Sequence, residues 1–138
     1  MNLERMKDAL RRAVAHWNAQ ELDRYLELYA TEIQLHGYAP EPMGRDAVRG
    51  FYQAFFNAFP KSQLVLDAMI AEGDLAMARF HLSLRHEGEF MGVPATGRQA
   101  TLSGHTSFQF RGEQVIQRWS SADFLGLLIQ LGALPAPG

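Results

Sequence analysis

The chain has 138 residues, 47 % of them hydrophobic and 20 % charged, which is the size and composition of one domain with its own core rather than of a disordered segment. Thirteen Lys and Arg against fifteen Asp and Glu leave a net charge of -2, too little basic excess to neutralise a nucleic-acid backbone or dock on an anionic membrane. Cysteine is absent, which removes disulfides, thiolate nucleophiles and sulfur-bound metals; no apolar run reaches the roughly 20 residues of a membrane span, and the polar start from Asn2 to Arg5 is unlike a secretory signal, so a cytoplasmic protein is expected.

Leu3, Met6, Leu10, Ala13, Val14 and Trp17 recur at spacings of three and four and predict a first helix with one apolar stripe. Asn18 followed three residues later by Glu21 has the form of a capping box and predicts a second helix that buries Leu22, Tyr25, Leu26 and Tyr29. A short strand around Ile33 and Leu35 follows, closed by His36-Gly37 and the turn-rich run Ala39 to Pro42. From Arg45 the helical period returns, with Val48, Phe51, Tyr52, Phe55, Phe56 and Phe59 on one side until Pro60 stops it.

Beyond Pro60 the period changes to two. Leu64, Leu66, Ala68 and Ile70 alternate up to a turn at Gly73-Asp74, and Leu75 to His86 is a long strand with two chemically different faces. Glu87 to Arg98, with Gly88, Gly92, Pro94 and Gly97, reads as a connection. Two more strands, Gln99 to Phe110 and Gln114 to Ala122, form a tight hairpin at Arg111 to Glu113. A short apolar helix from Phe124 to Leu131 then ends at Gly132.

Helices first and strands after, joined by tight turns, give an α+β class with a curved, mixed and mainly antiparallel sheet. One domain is expected over residues 1–134, with a loose tail at 135–138. Long strands interrupted by glycine curl, and a curled sheet closed by helices encloses a cone-shaped cavity.

Asp123 is the most suggestive acid, and it supports two readings. As an N-cap it would satisfy free amides of the last helix. As a catalyst it would share a strand face with Trp119, Gln117 and Ser121, and a carboxylate beside an indole in a dry cleft gains a raised pKa suited to proton transfer. His105 shares parity with Ser103, Ser107 and Gln109, which gives that strand a polar face fit to line a pocket. His86 and His36 close their strands, and Arg79 is a candidate clamp for the substrate or for a carboxylate. Phe55 and Met91 are candidates for an apolar substrate wall. His ligand spacings such as HxxxH or HExxH are absent, as are a phosphate loop, a dinucleotide fingerprint and a G-x-S-x-G elbow. No metal and no cofactor are expected.

The string Arg79 to Arg98, with His86-Glu87-Gly88 and Gly92-Val93-Pro94-Ala95-Thr96-Gly97-Arg98, and the later Trp119-Ser120-Ser121-Ala122-Asp123, resemble the SnoaL-like polyketide cyclases of the nuclear-transport-factor-2-like superfamily. The likeness spans nearly the whole chain. It implies a cofactor-free cavity enzyme, usually a homodimer, that closes a ring by intramolecular aldol condensation with a carboxylate as acid and base. Asp123 matches that role, with His105 or His86 as partner to the enolate. The sequence departs from the pattern at Gln117-Arg118, where relatives often carry an acid or His, and at Ser83 to Arg85. The expected substrate is a small apolar or polyketide-like carbonyl compound. A non-catalytic ligand-binding or dimerisation module, an isomerase and an epoxide hydrolase are the competing readings.

Overall fold

A computed structural model describes residues 2–137. Helix α1 spans Leu3–Asn18, α2 Leu22–Tyr25 and α3 Arg45–Ala58, and the strands are β1 Tyr29–His36, β2 Gln63–Glu72, β3 Leu75–Arg85, β4 Gln99–Arg111 and β5 Gln114–Ala122. A closing helix, α4, covers Phe124–Gln130. The expected tail carries no regular element from 135 to 137, and Gly138 lies outside the described residues.

One curved sheet holds all five strands in the order β1-β5-β4-β3-β2. Consecutive strands from β2 to β5 pair antiparallel, whereas β1 lies parallel to β5. That parallel edge is possible because α3 and three strands separate β1 from β5 in sequence, which gives the chain ample length to cross over. The sheet is therefore mixed, and the α+β class with helices on one side holds.

Amphipathic α1 buries Met6, Ala9, Leu10, Ala13 and Trp17, and α3 buries Val48, Tyr52, Phe55, Phe56 and Ala58. Both stripes pack on the apolar face of the sheet, where β3 and β4 contribute Phe80, Leu82, Leu84, Leu102, Phe108 and Phe110. Gly104 lies opposite Phe80 in the ladder. A Cβ there would sit 2.7 Å from the Phe80 ring and 2.6 Å from the Ser121 carbonyl oxygen, so only glycine leaves the ring its place.

Two local expectations are corrected. Asn18 does not open a second helix; its side-chain amide donates to the Leu64 carbonyl at 3.0 Å and accepts from the Leu64 amide at 2.6 Å. Tied in this way to the first residues of β2, it ends α1 and starts a strand. The second helix is only four residues long, followed by a 3₁₀ turn at Leu26–Leu28, and Tyr29 begins β1 instead of extending the helix.

Candidate active site

Strand parity was readable, but which face looks inward was not. On β3 and β4, Phe80, Leu82, Leu84, Leu102, Phe108 and Phe110 are buried, while Arg79, Ser103 and His105 are exposed together with Leu75 and Met77. The larger apolar area takes the core because its removal from water is the dominant gain, which leaves the polar face outside. A bulge then decides β5. Phe110 pairs with Val115 and Gln109 with Gln117, so Ile116 is an extra residue without an opposite number. Val115 and Arg118 both point inward as a result, and Trp119 points out, 42 % exposed.

The expected dry cleft around Trp119 and Asp123 is therefore absent. Asp123 is exposed, and its Oδ1 accepts from the Gly126 amide at 2.8 Å as the N-cap of α4. It lines neither the groove on the outer face nor the cavity between the helices and the sheet. His36 stacks on Trp119 with ring centroids 5.3 Å apart and meets Gln117 at 2.7 Å. His36, Arg79, His105 and Trp119 do share one surface. It is an open groove of about 530 Å³ on the outer face, shared with Met69, Ile70 and Met77.

His86 is fully buried and belongs to neither surface. Its Nδ1 accepts from the Thr96 amide at 3.2 Å, which places the ring proton on Nε2, a buried nitrogen with no hydrogen-bond partner among the described residues. The His86 backbone also bonds Arg98 and Gly97. Gly88 packs so closely on α3 that a Cβ would collide with the Asn57 carbonyl oxygen, and Arg98 donates to the Gln130 carbonyl at the end of α4. The strings His86-Glu87-Gly88 and Thr96-Gly97-Arg98 thus build a connection and pin two helices. Met91 is exposed at the tip of that connection.

Between the helices and the inner face lies a second cavity of about 80 Å³. Its wall is formed by Trp17, Phe51 and Phe55 from the helices, and by Phe80, Leu82 and Leu102 from the sheet, with Phe124 at one end. Phe55 is the one expected wall residue found here. The polar groups on this wall are Arg118, Ser120 and the phenols of Tyr25, Tyr38 and Tyr52. Arg118 is 8 % exposed. Its Nη1 reaches the hydroxyls of Tyr29, Tyr25 and Tyr52 at 2.6, 3.0 and 3.2 Å, and its Nε donates to Thr106 Oγ1 at 3.0 Å. Tyr52 in turn bonds Tyr29 at 2.6 Å and Tyr38 at 2.8 Å.

Burial pushes the Tyr29 and Tyr52 phenols well above their ordinary pKa, with Arg118 pulling the other way, so both are neutral donors near pH 7. For Arg118, burial works against the charge, but the surrounding phenols hold the guanidinium above its usual range and it stays protonated. Arg118 and Tyr52 were missed in the sequence as a site. The signal was a charged residue on a parity that becomes apolar only once the bulge at Ile116 is known. Among the described residues, no group of three or more His, Asp or Glu side chains is placed to hold a metal ion. Among the same residues, no helix is long and apolar enough to cross a membrane.

The sequence profile of the SnoaL-like polyketide cyclase family matches residues 7–131. The chain belongs to this family. Among solved structures, AclR from Streptomyces galilaeus, described as a candidate hydroxylase, superposes with a TM-score of 0.91 at 25 % identity, covering 97 % of this chain and 100 % of that one. TsrD from Streptomyces laurentii gives 0.86 at 27 % identity over 97 % and 99 % of the two chains. IdmH from Streptomyces antibioticus, a candidate polyketide cyclase, gives 0.81 at 26 % identity over 92 % and 98 %. No curated protein matches the chain in sequence. The family and the nuclear-transport-factor-2-like fold expected from the motifs are thus those observed. The motif residues His86, Gly88, Gly97, Arg98 and Asp123 all make contacts that hold a connection or a helix end.

Proposed function

We propose that this SnoaL-like protein takes a small polyketide-like carbonyl compound into the cavity between helices and sheet and assists its intramolecular aldol ring closure. The observation that carries the reading is Arg118, a charged guanidinium surrounded by phenols on an otherwise apolar wall. In an aldol closure, the carbon–hydrogen bond beside one carbonyl gives up its proton, the resulting enolate carbon bonds to a second carbonyl carbon, and that oxygen becomes an alkoxide that is then protonated. Preorganised donors on a largely apolar wall stabilise such an oxygen effectively. Arg118 and neutral Tyr52 and Tyr25 are suited to that task. A substrate hydrogen flanked by two carbonyls is acidic enough to leave to water, so the wall needs no carboxylate.

Arg118→Gln tests this reading on an acyclic triketone in which a carbon flanked by two carbonyls closes on the third to a six-membered ring, followed by NMR. Loss of one oxyanion donor should slow closure by at least about a hundredfold. An unchanged rate, or a hundredfold loss in Asp123→Asn instead, would return the chemistry to the carboxylate. The wall also lacks an imidazole, and this favours a second reading, a ligand-binding module without turnover. In that case the triketone binds and no ring forms with either protein.

The outer face has a separate proposed use. Ile70, Met77 and Trp119 stand exposed around its groove, Ile70 by 67 % and Met77 by 51 %. An apolar patch of this kind on one sheet face suits a two-fold homodimer, in which the same surface meets itself.

A further inference from the structure

The polar cluster on the cavity wall has donor hydrogens left over. Arg118 brings five N–H hydrogens, and its Nη2 makes no hydrogen bond among the described residues, although Nε and Nη1 are fully engaged. Nη2 is also not an enclosed orphan, since the only buried side-chain polar atom without a partner among the described residues is His86 Nε2. It therefore keeps open surface, and the open space beside Arg118 is the cavity. The phenols add to the surplus. Tyr25, Tyr29, Tyr38 and Tyr52 carry one hydroxyl hydrogen each, and the two phenol–phenol bonds consume only two of the four. Tyr25 accepts from Arg118 and donates to nothing else among the described residues.

No Asp or Glu forms an ion pair with Arg118 among the described residues. A guanidinium cannot shed its charge in a protein, and a buried charge is normally paired. Deprotonating a phenol would supply the missing negative charge, but burial works against that at Tyr29 and Tyr52. What the cluster lacks is a compact group that only accepts hydrogen bonds and carries a full negative charge. A carboxylate meets both requirements and matches the planar fork of the guanidinium. The rest of the wall is aromatic and aliphatic, so the carboxylate must belong to an organic molecule.

We propose that the cavity ligand is an organic acid whose carboxylate seats on Arg118 Nη2 and the free phenolic hydrogens of Tyr25 and its neighbours. This rests on the reading that the interior cavity is the binding site, and it names the chemical class of the ligand. Propanoate and benzoate are suitable probes, with propanamide and benzamide as neutral counterparts of nearly the same shape.

The two tryptophans give an internal control in an NMR titration of the full chain. Trp17 lines the cavity and Trp119 lies on the outer face. The Trp17 indole N–H resonance should shift saturably with the acids, at least tenfold more tightly than with the amides, while that of Trp119 stays in place. Arg118→Gln should reduce the preference for acid over amide to less than about twofold. Should that variant fail to fold, Tyr25→Phe serves instead: it should weaken the acids and leave the amides unchanged. Amides binding as tightly as acids would overturn the anion claim and leave the cavity as the site. Acids that shift only Trp119, or that bind Arg118→Gln as tightly as wild type, would overturn it as well. If no probe moves Trp17, the anion claim and the cavity reading fall together.

Discussion

Arg118 Nη1 lies 2.6 Å from the hydroxyl of Tyr29, the shortest contact of a guanidinium that meets three phenols and a threonine but no carboxylate. The two residues come from β5 and from the first position of β1, the one parallel pair among the described strands. Where β1 joins the antiparallel strands, the fold thus places its most deeply buried charge.

A charge kept for a ligand rather than for the fold should be dispensable to stability. Arg118→Met removes the desolvation cost of the ion and fills the same space with apolar atoms. Such exchanges of buried ionic groups are neutral or stabilising by about 1–4 kcal/mol. We expect the variant to melt no lower than wild type in calorimetry while losing its affinity for acids. A drop of several kcal/mol would mean that the guanidinium holds the phenols together as a structural hub.

The phenols predict an alkaline limit to stability. Tyr29 and Tyr52 hold their protons more tightly when folded, because burial penalises the phenolate. Below roughly pH 10, the ordinary phenol value, both folded and unfolded chains are protonated and this contribution is fully present. As pH rises further the unfolded chain releases its protons first, and stability is lost at up to about 1.4 kcal/mol per pH unit for each phenol. Urea denaturation at pH 9, 10 and 11 should show the fall, and Tyr52→Phe should reduce its slope by about one proton. An equal slope in the variant would contradict the assignment.

Asp123 is predicted to act on the helix and not on the cavity. Asn caps a helix as well as Asp does, so Asp123→Asn should change stability by only a few tenths of a kcal/mol, whereas Asp123→Ala should cost about 1 kcal/mol. Thermal denaturation of the two variants separates these outcomes. Equal losses in both would show that the charge, and not the cap, is what the site uses.

The element order, the α+β class and the boundaries of β3 to β5 were legible because long apolar stripes repeat at 3.6 or at 2 and the turns carry glycine. The candidate site was not legible. Alternation divides a strand into two faces without saying which is inside, and Trp119 with Asp123 offered a plausible interior. One extra residue at Ile116 reverses that parity, and a bulge of this kind leaves no mark in residue types. Asn18 misled for a related reason. A polar residue ahead of Glu21 has the form of a cap, and only the fold reveals that Leu64 arrives to take both of its hydrogen bonds. His86 was visible as a motif but not as a clamp, because its partner Thr96 lies across a connection of no regular structure.

The outer face makes a prediction about assembly. Sedimentation should give about twice the chain mass of 15.5 kDa. Met77→Glu, which puts a charge into the centre of the proposed contact, should return the protein to a monomer without altering the Trp17 titration. A wild-type monomer would remove the dimer.

The most direct measurement is a crystal structure of the protein grown with benzoate. The account predicts the ring between Phe55 and Phe80, and a carboxylate oxygen at roughly 2.7–2.9 Å from Arg118 Nη2, the ordinary length of a charge-assisted hydrogen bond. Benzoate lying instead in the outer groove against His105 and Trp119, with the inner cavity filled by side chains or water alone, would contradict it.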